Sequence, residues 1–237
     1  MRPTTLSLVA LLSATAALAQ ETSSAPAPAR AAAPSAEIQA YAPEQRKTMP
    51  VAEARAILER FSGSYAALGR PRILFLVHRD PLAGRAGAKQ APERESVAEV
   101  TRLFGRPFRA AGAQLVAPDV AAPLVAGKSF GHFTATGSEQ ARNDCAALAR
   151  VADVIVEVTI TDREVLLPRV AEDRVFVVPD IHATAIRLGD SAILGQVSSR
   201  EVLREREPGR SNYRFGLREI AESTALALLD DIAQGRR

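Results

Sequence analysis

Three histidines, His78, His132 and His182, and the residues around two of them are where this 237-residue sequence comes nearest to chemistry. His78 and Asp80 follow directly on the apolar run Ile73, Leu74, Phe75, Leu76, Val77. In open α/β sheets a ligand crevice lies at the end of such a strand, so these two residues mark the mouth of a pocket for a small ligand. Asp180 and His182 are two apart in a strand-like run and therefore share a face, where a third ligand from elsewhere would complete a metal site. Short H-x-D and D-x-H pairs recur by chance, however, and solvated strand-face residues account for both. The triplet His78-Arg79-Asp80 echoes the catalytic loop of protein kinases, but the asparagine and the other kinase parts do not follow it.

Phosphate binding is tested by glycine spacing, because backbone amides must close around the anion. Gly84, Gly87 and Lys89 follow the first apolar run without completing G-x-G-x-x-G, and Gly127-Lys128-Ser129 spells only the end of a Walker A loop, with Ala122 at the place of its first glycine. Both stretches read as solvated loops. No G-x-S-x-G elbow is present. The single cysteine, Cys145, shares a helical face with Ala141, Leu148 and Ala152, which makes it a packing residue rather than a nucleophile. No residue qualifies as catalytic, cofactor-binding or metal-ligating, and no cofactor is expected. The pattern points to a binding or structural role more than to catalysis.

The elements that would position these residues centre on residues 151–199. Val154, Val156, Val158 and Ile160 alternate with Glu157, Thr159 and Thr161, the period of a strand with one wetter face. In the next run Val177, Ile181, Ala183 and Ala185 share a face and Ile186 and Leu188 take the other; with Pro179 nearby, this phase change predicts a bulge or an edge strand. Gly189, Asp190 and Ser191 then link to a strand over 192–199, a hairpin signal. Upstream, residues 50–68 carry apolar positions at helical spacing before Gly69. Residues 73–77 suit a central strand covered on both faces. A helix is expected over 93–111 with a kink or break at Pro107, a short strand over 113–117, a short helix over 120–125, and a helix from an N-cap at Ser138 to Arg150. Residues 201–210 read as a charged connection and residues 211–235 as a closing helix. The expected fold is α/β: a single domain whose mixed sheet begins as a parallel βαβ unit and ends in an antiparallel C-terminal hairpin, flanked by helices.

At the start of the chain, Arg2, the apolar residues 6–12 and the small-x-small triplet Ala17-Leu18-Ala19 form the pattern of a secretory signal peptide over residues 1–19. No cysteine follows it to take a lipid, so the expected address is the periplasm, without an anchor. Residues 20–49, rich in Ala, Pro and Ser, read as a disordered tether and residues 50–237 as the folded domain. No apolar run reaches the ~18 residues that span a bilayer, so the chain is not membrane-spanning after cleavage. Thirty basic and 27 acidic residues give a net charge of only +3, without a basic block, which argues against nucleic acid as a partner.

The order of these elements from about residue 70 to 232 resembles a known envelope domain. The strand RILFLV (72–77), the segment from Gly112 to Val116, ADVIVEVTIT (152–161), and the hairpin of PDIHATAIRL (179–188) with ILGQVSS (193–199) are similar to the periplasmic α/β domain of curli secretion subunits (the CsgG type) and of lipoprotein activators of penicillin-binding proteins (the LpoB type). They are similar more loosely to the N-terminal domain of the Tol system's translocation protein. The resemblance implies a non-catalytic module that binds an envelope protein partner or itself. Two departures qualify it: the lipid-accepting cysteine is missing, and residues 199–211 are too short and too charged to form a membrane hairpin of the curli channel. Two alternatives stay open, a small-ligand binder or enzyme working near His78 and Asp80, and a self-assembling ring subunit joined near Pro179.

Overall fold

In the computed structural model of the chain, residues 35–43, 49–80, 93–126, 128, 133, 138–166, 175–206 and 216–235 are described. Among these residues four strands, β1 (Ile73–Asp80), β2 (Val154–Leu166), β3 (Val175–Arg187) and β4 (Ala192–Ser198), form one sheet in that order. β1 runs parallel to β2, with Ile73 opposite Val154, and the remaining pairs are antiparallel. The helices are α1 (Ala36–Ala40), α2 (Val51–Ala67), α3 (Glu93–Ala110), α4 (Pro118–Val125), α5 (Glu139–Leu148), α6 (Ser199–Arg206) and α7 (Leu217–Gln234). This is the mixed, helix-flanked α/β sheet that the sequence implies, within one unit of residues 34–237.

Alternation in β2 decides which face goes where. Val154, Val156, Val158 and Ile160 are all buried, with Ile181, Ala183 and Ala185 of β3 beside them, and face the main core built by α2, α3 and α7. An aromatic cluster joins three of these elements: Phe75 of β1 meets the Phe108 ring edge-on at 5.1 Å, and Phe108 meets Phe61 at 5.6 Å. Such edge-to-face pairs add to what burial alone contributes. On the opposite face Leu74, Ile155 and Leu188 form a smaller core with α4 and α5.

Several expectations need correction. β1 is not central; among the described residues it ends the sheet, and the strand expected at 113–117 shrinks to a single bridge between Leu115 and Ile73 because the chain turns into α4 at Pro118. α3 passes through Pro107, which lies in the last turn and costs the helix one donor, and ends at Ala110. The charged connection begins as α6, whose Val202 and Leu203 are buried. The packed part of the chain starts before residue 50. Within the stretch read as tether, Ser35 caps α1 and Ile38 and Tyr41 are buried against the main core.

Other features match. Ser138 Oγ accepts from the Ala141 amide at 3.3 Å, Ser191 in the β3–β4 turn has φ 56°, and Gly235 ends α7 at φ 58°. The phase change in β3 corresponds to a register shift at Ala185/Ile186 against β4. β3 is an inner strand there, but β4 pairs with it only from His182 onward, so Pro179 has a strand partner, Asp162 of β2, on one side alone among the described residues. A residue without an N–H fits that half-paired position.

Candidate functional site

Hydrogen bonding at the start of β1 fixes the direction of every backbone group along it. The Ile73 amide donates to the Gln114 carbonyl at 2.8 Å and the Ile73 carbonyl accepts from the Val116 amide at 2.8 Å, so Ile73 faces away from β2. The Arg72 carbonyl accepts from Val154 of β2 at 3.0 Å and faces inward. Because parity alternates along a strand, Leu74, Leu76 and His78 bond to β2, while Phe75 and Val77 present their amides and carbonyls outward. No strand of the described residues pairs with that outer edge beyond the Leu115 bridge.

Alongside this edge runs a groove of about 500 Å³, walled by Val97 and Thr101 of α3 on one side and by Ala122 and Val125 of α4 on the other. α4 takes that place because Pro118 begins it immediately after the Leu115 bridge, Pro being favourable in a first helical turn. His78 and Glu157 close the far end, with Lys128 beside them.

Glu157 lies on the face that the alternation marks as wetter, yet its side chain is only 16 % exposed. Burial pushes its carboxyl up to about 7. His78 Nε2 lies 3.5 Å from Glu157 Oε1 and 3.0 Å from the Thr159 hydroxyl. Chemically, the end of the groove offers a carboxyl that changes charge near neutral pH, next to an imidazole and a hydroxyl able to donate or accept. The signal is a lone carboxylate inside VIVEVTI; its burial depends on distant segments and is not written in that run.

The other sequence candidates fall out as follows. Across the sheet His78 stands opposite Thr159 and Thr159 opposite His182, so the two histidines occupy one row, two strand spacings or roughly 10 Å apart, with Thr159 between them. Asp180 is fully buried and taken by Arg200, whose Nε donates at 2.6 Å, while His182 is exposed. The D-x-H pair is thus divided between a structural ion pair and solvent. Asp80 ends β1, and nothing is described of its side chain. Gly84, Gly87, Lys89, Gly127, Ser129 and His132 lie outside the described residues. Lys128 pairs with Asp144 of α5 at 2.9 Å. Cys145 is partly packed against the smaller core; its Sγ lies 3.4 Å from the Phe133 carbonyl, and burial raises its thiol, which suits the packing role.

Glu157 makes stability depend on pH in a defined direction. Its folded value lies above the ordinary 4.5, so its contribution is complete below about pH 4.5 and is lost as pH rises through about 7. Glu157→Gln, neutral throughout, is expected to leave stability near pH 4 unchanged. At pH 8 it should raise stability by on the order of 1 kcal/mol, allowing for water in the open groove. Denaturant unfolding at the two pH values measures this, and equal increments at both would contradict it.

No protein-family model and no curated protein matches the chain. Among solved structures it is similar to the hypothetical protein CT253 from Chlamydia trachomatis, with TM-score 0.37 and 11% identity over 54% of this chain and 70% of that one. The LpoB C-terminal domain from Salmonella enterica aligns with TM-score 0.33 and 12% identity over 60% and 92%. The PelC dodecamer from Paraburkholderia phytofirmans aligns with TM-score 0.32 and 10% identity over 71% and 89%. LpoB is one of the types that the sequence resembles, and the likeness to it is loose.

Proposed function

We propose that the chain is an exported, non-catalytic protein-interaction module of the cell envelope, and that it engages its partner along the outer edge of β1. The observation that carries this reading is the outward row of backbone groups on Phe75 and Val77 beside an open groove. An unpaired strand edge is a template for another strand, and main-chain bonding to such an edge is a recurring mode of peptide recognition. The signal-peptide pattern over residues 1–19 supplies the compartment, and no helix of the described residues is long and apolar enough to cross a membrane.

A second reading, a small-ligand binder, is favoured by one feature, the His78–Glu157 pair closing the groove. A photo-crosslinking residue placed at Thr101 or Val97 in living cells separates the two. The interaction reading expects a defined envelope protein, or a second copy, joined at those positions and not at the exposed Glu59 on α2. Silence at both groove positions in folded, exported protein would contradict it and favour the ligand.

A further inference from the structure

Resting on that reading, we propose the chemistry of the partner: an extended segment that adds to β1 and carries a lysine or arginine side chain over Glu157. The lane is already begun by the chain itself, because residues 114 and 116 bond to Ile73 before the backbone leaves for α4 at Pro118. A guest continuing that lane meets the four outward groups of Phe75 and Val77. Its alternate side chains point to the two faces of the sheet, one set toward Val97 and Thr101 and the other toward Ala122, Val125 and Glu157.

Charge selects the guest. Glu157 is a largely buried carboxyl with no lysine or arginine at ion-pair distance among the described residues. The groups facing it are His78 from β1, Thr184 opposite it on β3, and Lys128, which Asp144 of α5 already holds. A guest cation would supply the partner that the fold leaves out, in a place where desolvation has already raised the cost of the unpaired charge. A guest carboxylate there would set two like charges against each other in a poorly hydrated groove.

The test uses short synthetic peptides of alternating threonine and valine with lysine, norleucine or glutamate at the centre, titrated into the isotope-labelled protein and followed by amide shifts. At pH 8 the lysine peptide is expected to shift Phe75 and Val77 and to bind about ten-fold tighter than the glutamate peptide. That preference should shrink at pH 6, where Glu157 takes up a proton, and should disappear in Glu157→Gln. Thr101→Arg, which fills the groove from α3 and leaves Glu157 in place, should weaken all three peptides. Equal binding of the three peptides at Phe75 and Val77 would overturn the cationic guest and leave the edge reading intact. Shifts confined to other elements, or none at millimolar peptide, would overturn both.

Discussion

Replacing Arg106 by alanine is expected to lower the stability of the protein by about 3 kcal/mol, the cost of stripping the cation from a buried carboxylate. Arg106 on α3 donates to Glu222 Oε1 of α7 at 2.8 Å, and the Tyr41 hydroxyl donates to the same oxygen at 2.7 Å. Glu222 is 2 % exposed, so the carboxylate cannot turn to water when the guanidinium is removed. The same Arg106 donates to the Ala42 carbonyl at 3.3 Å and its guanidinium lies 5.6 Å from the centre of the Tyr41 ring. One side chain thus fastens residues 35–43 onto the seam between α3 and α7, and its loss should also expose that segment to limited proteolysis. For a domain of this size the midpoint of thermal unfolding should fall by roughly 10 °C. A loss under about 1 kcal/mol would show that the network is not what holds the segment. Arg106→Lys keeps the charge but not the planar fork, and is expected to fall between the two.

Phe108→Ala is expected to cost about 4 kcal/mol, more than any surface substitution. Phe108 is fully buried on α3, packed edge-on against Phe75 of β1 and Phe61 of α2. Truncation removes the aromatic pairs and leaves a void whose walls belong to three different elements, which cannot all close in together. Phe108→Leu, which retains most of the volume, should recover about half of the loss. Chemical denaturation at pH 7 measures both variants; a cost near 1 kcal/mol for alanine would mean that the cluster is loosely packed.

Much of this core was legible because the period of an element is written in the order of its residues. The alternation from Val154 to Ile160 names the face of β2 that enters the main core, and the phase change near Ile186 marks the bulge that the register against β4 shows. What the sequence hid depends on distant segments. Five apolar residues at the start of β1 read as a central strand, yet burial there comes from helices on both faces rather than from a strand on both sides. Glu157 lies in phase with Thr159 and Thr161, on the face that the alternation marks as wetter, yet its side chain is only 16 % exposed, in a groove it shares with Ala122 and Val125 of α4, distant in the chain. Ile38, Tyr41 and Met49 are the large apolar side chains in an otherwise small and polar stretch, and composition averages them away. His78 was singled out and does sit in the groove, whereas its row-mate His182 and the engaged Asp180 belong to no common site.

Amide hydrogen exchange along β1 of the isolated protein tests the open edge most directly. Leu74 and Leu76 donate into β2 and should be protected to nearly the stability of the whole domain, while Phe75 and Val77 should exchange orders of magnitude faster, with protection gained only when a partner segment is bound. Slow exchange at all four positions in the free protein would mean that the outer edge of β1 is already paired, and would contradict the proposal that it is where this module receives its partner.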